Sequence, residues 1–298
     1  MDSVPRRLLY KYTKKVMGTH AAIKIIGYEN DKDKIALCMN VAFNEILRIE
    51  KLFSHYDQES EVSILNKHGY LKNPSKELLY ILDKAYQLYN LTRGMFDITV
   101  LPLLELLDKY SSNEISNEIF AETRSLIDFS NIEFSGHEIS FKKNGMKITL
   151  GGIAKGYAID RAADILKHMG IKNALVDIGG DIKALSDNHN WIVGIRNPFK
   201  KDDIIIKVKI SNQAIATSGN YEKLHIINPK KLKFPETASA TIIAKNAIDA
   251  DALATAAYIM GPDAIELVKK IPEAEALLIM KEGQMIKTSG FKHYEIIP

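Results

Sequence analysis

Apolar and polar positions follow helical or strand periods along most of this chain, and these periods predict its elements. A strand is predicted from Ile23 to Ile26, followed by a long helix with one charged face from Ile35 to Leu52. Further helices are predicted at about Lys76–Arg93, Leu101–Tyr110, Asn117–Ile127, Ile153–Met169, Asp249–Met260 and Pro262–Ile271. Further strands are predicted at Asn131–Phe134, Ile139–Phe141, Met146–Leu150, Ala174–Ile178, Ile182–Ser186, Trp191–Ile195, Ile204–Ile210, Ala214–Thr217, Ala240–Ala244, Ala276–Met280 and Met285–Thr288. Helices followed by a strand-rich half predict an α+β fold, with mixed β-sheets and packed helices.

The composition is that of a soluble globular protein. The 298 residues are 46% hydrophobic and 26% charged, which suits a single domain or two intimately packed halves, about 1–150 and 151–298. Forty Lys and Arg oppose 37 Asp and Glu, and the resulting net charge of +3 is too small to indicate nucleic-acid binding. The single cysteine, Cys38, falls within an apolar helical pattern and is expected in the core.

The segment from Thr149 to Asp160 carries the clearest chemical signal, because glycines end an apolar alternation and a lysine follows them. The pattern predicts a strand that turns sharply into a helix, whose free backbone N–H groups would attract an anion together with Lys155. Lys155 precedes Gly156 and no Ser or Thr follows it, which excludes a Walker A loop. From these residues alone, a phosphate site and a packing turn both remain open.

A second candidate site is formed by Asp251 and Thr255, four residues apart in a predicted helix. That spacing places a carboxylate and a hydroxyl on one helix face, where both can bind one Mg²⁺. Such an ion keeps coordination positions for phosphate oxygens, so this site needs phosphates nearby, for example at the turn before Lys155. The alternative is that Asp251 is an acid favoured by the helix dipole and that Thr255 has no function.

Two further segments are less specific. His225 follows the turn-forming run Thr217–Glu222 and is a candidate general base, although a lone histidine is more often structural. The run from Gly94 to Pro102 is typical of a helix end and a buried extended segment.

The order and spacing of these segments resemble one family, the ApbE-type FAD:protein FMN transferases, also called flavin transferases. The resemblance runs from Met17 to about Leu278, nearly the whole chain. It rests on FSHYD at 53–57, SEVS at 60–63, GMFDITVLP at 94–102, LGGIAKGYAID at 150–160, ALVDIGGDI at 174–182, WIVGI at 191–195, TSGNYE at 217–222, HIINP at 225–229 and ADALATA at 250–256.

The resemblance implies an ApbE-like, T-fold-like architecture and an Mg²⁺-dependent enzyme. Its activity would be the transfer of FMN from FAD to a threonine hydroxyl of an acceptor flavoprotein, with release of AMP. It implies a metal site at the carbonyl of Gly152, Asp251 and Thr255. The implied FAD contacts are Met17, Tyr56, Met95, Phe96, Asp97, Thr149, Lys155, His225 and Ile226. The implied catalytic residues are Lys155 and Asp251, which serve the phosphoryl group and the metal, and His225, which takes or relays the threonine proton.

The chain departs from the family pattern at two acidic positions. Thr149 stands where an aspartate is common, so residue 149 must bind FAD through a neutral group or not at all. Asn228 replaces the aspartate of the usual HIIDP, and the Thr-Gly that usually follows is absent. These departures leave two alternatives open: an FAD pyrophosphatase that yields FMN and AMP, and a flavin-binding protein without catalysis.

The resemblance also implies partners and a compartment. The expected partners are FAD and acceptor flavoprotein subunits of membrane redox complexes, with no nucleic acid. No run approaches the roughly 18 apolar residues of a membrane span. The sequence as written favours the cytoplasm, whereas the family resemblance favours the cell envelope, as a periplasmic lipoprotein whose signal has been removed.

Overall fold

A computed structural model describes residues 6–110, 114–219, 226–231 and 234–296 of the chain. The strands are β1 Arg7–Val16, β2 Thr19–Tyr28, β3 Tyr70–Lys72, β4 Ile132–Phe134, β5 Glu138–Phe141, β6 Ala174–Ile178, β7 Asp181–Leu185, β8 Trp191–Arg196, β9 Ile204–Ile210, β10 Ala214–Ser218, β11 Thr237–Ala244, β12 Glu275–Met280 and β13 Met285–Lys287. The α-helices are α1 Lys32–Phe53, α2 Glu61–His68, α3 Lys76–Leu91, α4 Leu101–Lys109, α5 Asn117–Ser125, α6 Ala154–His168, α7 Ala247–Met260 and α8 Asp263–Val268. The predicted α+β class with packed helices is confirmed.

An eight-stranded sheet organises the structure, with the strand order β1-β2-β6-β7-β10-β11-β12-β13. Every strand ladder in the described part of the chain is antiparallel, so these sheets are antiparallel where the sequence predicted mixed sheets. A three-stranded sheet, β3-β5-β4, and the β8–β9 hairpin complete the strands. None of the described helices combines the length and the apolar character needed to cross a lipid bilayer.

Two apolar clusters cover the two faces of the large sheet, because its strands alternate in side-chain direction. On one face, Val176 and Ala216 belong to the large core that includes buried residues of α1, α6 and α7. On the other face, Ile182 and Ile215 pack with Trp191 of the β8–β9 hairpin. Cys38 lies fully buried in the large core, as the sequence predicted. Helices α6 and α7 are therefore held side by side against one face of the sheet.

Three elements escaped the sequence analysis, and the most informative of them is β1. This strand lies at the edge of the large sheet and pairs with β2 along its whole length. Lys11, Lys14 and Lys15 interrupt its apolar pattern, as charges commonly do on edge strands, where they discourage pairing with other chains. The short elements α2 and β3 were also missed.

The predicted strand at Met146–Leu150 is wrong. Its apolar side chains are buried, but the backbone makes no ladder with any described strand. The side chain of Asn66 instead accepts a hydrogen bond from the N–H of Ile148 at 2.7 Å and donates one to its carbonyl at 2.8 Å. The N–H of Thr149 bonds to the carbonyl of Ile98 at 2.8 Å. An extended, buried segment thus leads into α6 with its backbone satisfied by a side chain and a loop.

Gly156 sets the distance between α6 and α7. A Cβ atom on this residue would lie 2.3 Å from the carbonyl oxygen of Ala247 and 2.6 Å from the Cα of Ile248. Both obstacles are backbone atoms, so no side-chain rotation can make room. Only glycine allows the two helices to approach this closely.

We predict that Gly156→Ala destabilises the fold by about 1–3 kcal/mol, because overpacking outweighs the roughly 1 kcal/mol that alanine gains over glycine in a helix. The measurement is the urea midpoint of unfolding. Gly136→Ala is the matched control, since nothing lies within 4 Å of a Cβ added there. Equal midpoints for Gly156→Ala and the parent would show that the helices do not depend on this contact.

Candidate active site

Lys155 lies at the centre of the site, between two buried carboxylates. It is the second residue of α6; its ammonium contacts Asp181 at the start of β7 and lies 3.5 Å from Oδ1 of Asp251 on α7. The Lys155 side chain is 29% exposed, whereas each carboxylate is only 3% exposed. Burial lowers the pKa of Lys155, but the two carboxylates outweigh burial and raise it. One ammonium against two carboxylates leaves this cluster with one net negative charge.

Asp251 connects α7 to the start of α6. Its Oδ2 accepts a hydrogen bond of 2.9 Å from the backbone N–H of Gly156, while Oδ1 faces Lys155. Burial raises the pKa of the Asp251 carboxyl, and the nearby Lys155 ammonium opposes this shift. Helix α7 begins at Ala247, one turn before Asp251. The carboxylate therefore caps α6 and is not the helix-start acid of the alternative interpretation.

Thr255 lies one turn after Asp251 and also points towards α6. A Cβ atom on Gly152 would lie 3.2 Å from Thr255 Oγ1 and 3.4 Å from the ring of Phe96. The hydroxyl of Ser218, at the end of β10, is 3.2 Å from Thr255 Oγ1. The structure thus brings Gly152, Asp251 and Thr255 together at one end of the α6–α7 pair.

Free backbone N–H groups were expected at the start of α6, but several of them form hydrogen bonds within the protein, and for these the expectation is wrong. The N–H groups of Ile153 and Ala154 bond to the carbonyl of Leu150, and that of Gly156 bonds to Asp251. The N–H of Gly151 bonds to the hydroxyl of Thr149 at 3.2 Å. These paired backbone donors are therefore not free to bind an anion at this turn.

The cluster offers three kinds of oxygen, namely a carboxylate, a hydroxyl and a carbonyl, which are the donors that Mg²⁺ prefers. The net negative charge also favours a cation. Among the described residues, no group of three or more His, Cys, Asp or Glu side chains could hold a metal ion. The donor set therefore fits an Mg²⁺ that takes its remaining ligands from phosphates and water, and does not fit a zinc-type site with all its ligands from side chains.

The segment Met95–Asp97 borders this cluster through Phe96, whose ring approaches Gly152. The carboxylate of Asp97 is engaged within the protein. Its Oδ1 accepts bonds from the N–H of Thr99 at 2.9 Å and its hydroxyl at 2.6 Å, and its Oδ2 accepts one from the N–H of Phe129 at 3.3 Å. Burial raises the pKa of Asp97 to about 6. The Asp97 carboxylate thus holds the segment in shape through hydrogen bonds within the protein.

Thr149 takes part in a neutral hydrogen-bonded group with His55. Its hydroxyl lies 3.2 Å from His55 Nδ1, and burial lowers the pKa of this histidine. The ring of His55 packs against Tyr56 with 4.0 Å between centroids, and Tyr56 itself is 81% exposed. The aromatic side chain of Tyr56 is therefore available to a planar ligand beside the segment that leads into α6.

Met17 lies in the turn between β1 and β2 with a positive φ of 51°, and its N–H bonds to the carboxylate of Glu50. This turn lies at the same end of the sheet as the β6–β7 turn, because a Cβ on Gly179 would be 2.9 Å from the side chain of Thr19. His225 lies outside the described residues. Ile226, the next residue, is buried in the large core.

Two cavities lie beside this cluster and not within it. One, of about 170 Å³, is bordered by Asp97, Tyr89, Arg124 and Lys230. The other, of about 240 Å³, lies under the β8–β9 hairpin and is bordered by Lys24, Arg196 and the β6–β7 turn. The second contains none of the predicted site residues, because it lies on the face of the sheet opposite α6 and α7.

Three residues near the site were not predicted from the sequence, although they fall in the family motifs: Asp181, Ser218 and His55. Asp181 is the most consequential, because it contacts Lys155 and its Oδ1 accepts the N–H of Thr217 at 3.2 Å. A usable signal existed, because Asp181 directly follows Gly179-Gly180 at the start of a strand that also contains Ile182, Ala184 and Leu185. A charge at such a position is expected to have a partner, since buried carboxylates rarely stay unpaired.

Comparison with known proteins identifies the family. The sequence pattern that describes the ApbE family matches residues 17–278. The chain belongs to the ApbE family. This confirms the resemblance that the motifs indicated, and it places the chain in a family of enzymes.

Relatives of this ApbE chain match over most of its length. A FAD:protein FMN transferase of Vibrio cholerae is 28% identical over 93% of this chain and 88% of its own, and one of Haemophilus influenzae is 26% identical over 93% and 89%. Among solved structures, the ApbE protein of Thermotoga maritima superposes with a TM-score of 0.86 at 31% identity, covering 97% of this chain and all of its own. The flavin transferase ApbE of Vibrio cholerae gives a TM-score of 0.83 at 25% identity, over 97% of this chain and all of its own.

We predict that Asp181→Asn destabilises the protein by about 1–3 kcal/mol, because it removes one buried counter-charge from Lys155; partial exposure of the lysine keeps the loss below that of a fully buried pair. The measurement is the free energy of unfolding in urea. Asp187→Asn is the matched control, since the pair that Asp187 forms with Lys172 at 3.3 Å is exposed and should contribute less than about 1 kcal/mol. If both variants lose the same small free energy of unfolding, the contact of Asp181 with Lys155 does not stabilise the fold.

Proposed function

We propose that this protein transfers FMN from FAD to a threonine hydroxyl of an acceptor flavoprotein and releases AMP, with Mg²⁺ bound. The threonine oxygen forms a bond to the phosphorus of the FMN half of FAD. The bond from that phosphorus to the oxygen bridging to AMP breaks, and AMP leaves with the electron pair. The threonine proton passes to a base. The names of the relatives, which are FAD:protein FMN transferases, support flavin transfer from FAD.

The charge balance around Lys155 is the observation that carries the proposal. With one ammonium and two carboxylates, the site alone would repel a pyrophosphate. A divalent cation at Gly152, Asp251 and Thr255 converts the net charge from minus one to plus one, which favours a pyrophosphate. A bound cation would therefore explain why two carboxylates lie at a site proposed for an anionic substrate. It would also make binding of that substrate depend on the cation.

Each residue of the cluster then has a distinct task. Asp251, Thr255 and the carbonyl of Gly152 would hold Mg²⁺, which when bound neutralises charge on the phosphoryl oxygens. Lys155 directs its ammonium to the same region and stabilises charge that develops on the leaving phosphate. Asp181 keeps that ammonium oriented. His225 is proposed to accept the threonine proton, and Tyr56 and Phe96 to contact FAD.

The two departures from the family pattern are compatible with this function. Thr149 shares a neutral hydrogen bond with His55, and a carboxylate in its place would add negative charge beside an anionic substrate. Asn228 accepts the N–H of Lys230 through Oδ1 at 2.9 Å, which is a turn contact that aspartate makes equally well. Neither departure removes a group of the Lys155 cluster.

We expect the protein, incubated with FAD, Mg²⁺ and an acceptor polypeptide bearing an Asp-Gly-Ala-Thr segment, to add one FMN to the acceptor threonine. Intact-mass and fragment spectra locate the adduct, and chelation with EDTA should abolish it. Asp251→Asn should lower the rate by at least about 100-fold, comparable to the loss of a principal charge-stabilising group.

Asp249→Asn is the matched control, because Asp249 lies on the same helix but its carboxylate contacts Lys84 at 3.1 Å, away from the cluster. The control should keep the parent rate within a few-fold. Free FMN and AMP formed without acceptor would favour the pyrophosphatase instead. Tight FAD binding that survives Asp251→Ala, with no turnover of any acceptor, would favour a flavin-binding protein without catalysis.

A further inference from the structure

Helices α6 and α7 meet at three points that are spaced by one helical turn. Gly152, in the turn before α6, lies against Thr255; Gly156 donates its N–H to Asp251; and Asp160 accepts from the N–H of Ala247. Each step of four residues forward along α6 is matched by a step of four residues backward along α7. The helices therefore run antiparallel in a fixed register, and the proposed metal ligands belong to the same row of contacts as Asp160.

Asp160 forms the end of that row farthest from the proposed metal ligands. Its Oδ1 accepts the N–H of Ala247 and its Oδ2 accepts the N–H of Ile248, each at 2.9 Å. The residue at the N-cap position of α7, Asn246, makes no capping bond with its side chain. Asp160 thus supplies the cap that α7 lacks, from a different helix. Asp251 does the converse by capping α6, so each helix is capped by a carboxylate of the other.

We propose that Asp160 is a positioning residue that fixes α7 along and around its axis, so that Asp251 and Thr255 stand at the correct distance from the carbonyl of Gly152 to bind a cation. The inference rests on the proposed function, because it concerns the same metal site. Two hydrogen bonds from consecutive N–H groups of α7 to the two oxygens of Asp160 restrict both sliding and rotation of α7. A single hydrogen bond would restrict only the distance between its donor and its acceptor.

The geometric demand of the cation makes this restraint consequential. Mg²⁺ accepts oxygen ligands only near about 2.1 Å and in near-octahedral directions. Advancing α7 by one residue would move its ligands by about 1.5 Å and turn them by about 100°. Even a shift of about 0.5 Å spoils a ligand set of this kind. In the same row, the close contact of Gly156 with Ala247 limits how near the two helices come, and the hydrogen bond from Gly156 to Asp251 ties them at the middle. Asp160 adds the two hydrogen bonds that hold the start of α7 in place.

The experiment compares Asp160→Asn with the parent protein in the presence of FAD, using Mn²⁺ as the probe and electron paramagnetic resonance to count free ions. We expect Mn²⁺ affinity to fall about 10- to 100-fold, as for other residues that orient metal ligands without touching the metal. The melting temperature should fall by only a few degrees, as for the loss of one helix cap in a chain of this size. Asp164→Asn, one turn further along α6 at an exposed position, should leave both quantities unchanged.

A second variant separates positioning from simple capping. Asn246→Asp, added to Asp160→Asn, places a carboxylate at the N-cap position of α7 itself, without a bond to α6. We expect the melting temperature to recover while Mn²⁺ affinity stays low, because the tie to α6 is still missing. Recovery of Mn²⁺ affinity in this double variant would overturn the proposal, and so would unchanged affinity in folded Asp160→Asn. If Asp160→Asn does not fold, the folded double variant decides in the same way.

The outcomes also separate this inference from the proposed function. A parent that transfers FMN, with Mn²⁺ affinity insensitive to Asp160→Asn, overturns the positioning role and leaves the transferase intact. A parent that transfers no FMN, but whose Mn²⁺ affinity drops in Asp160→Asn, keeps the positioning role and removes the transferase. A parent that binds no Mn²⁺ in the presence of FAD overturns the inference outright.

Discussion

The contact between α6 and α7, in which each helix caps the other with a carboxylate, is the constraint on which the site depends. Gly156 allows the backbones to approach, and Asp251 and Asp160 satisfy the N–H groups that this approach leaves inside the protein. Buried helix ends need such partners, because unpaired N–H groups are costly. The same bonds that stabilise the helix pair fix the position of Asp251. Stability and site geometry therefore share residues.

Charge gives this helix pair its chemical character. Lys155 occupies the exposed side of two buried carboxylates, so the cluster keeps one negative charge that water screens poorly. In the proposed function, this charge balance makes the cation bind before FAD or together with it. That order would follow from the buried charges and not from any single hydrogen bond.

The sequence predicted the parts of this arrangement that have a short-range signature. The four-residue spacing of Asp251 and Thr255 and the periodic apolar face of α6 were both readable, and the motifs indicated the family. Which helix Asp251 would cap was not readable, because the N–H group involved lies 95 positions away. The strand predicted at Met146–Leu150 is wrong for a related reason. Its alternating apolar residues indicate that their side chains are buried, but the backbone of Ile148 bonds to the distant side chain of Asn66 and not to a neighbouring strand. Likewise, Asp181 and Lys155 meet only through the placement of β7 beside α6.

The most direct test of the account is the position of a cation in the folded protein. Crystals grown with FAD and Mn²⁺ allow anomalous diffraction to locate the ion without reference to any assumed ligand. The account predicts one strong peak at about 2.1–2.2 Å from the Gly152 carbonyl, an Asp251 carboxylate oxygen and the Thr255 hydroxyl, with FAD phosphate oxygens completing the shell. A peak elsewhere, or FAD bound with its phosphates away from Lys155 and no ion at Asp251, would contradict it.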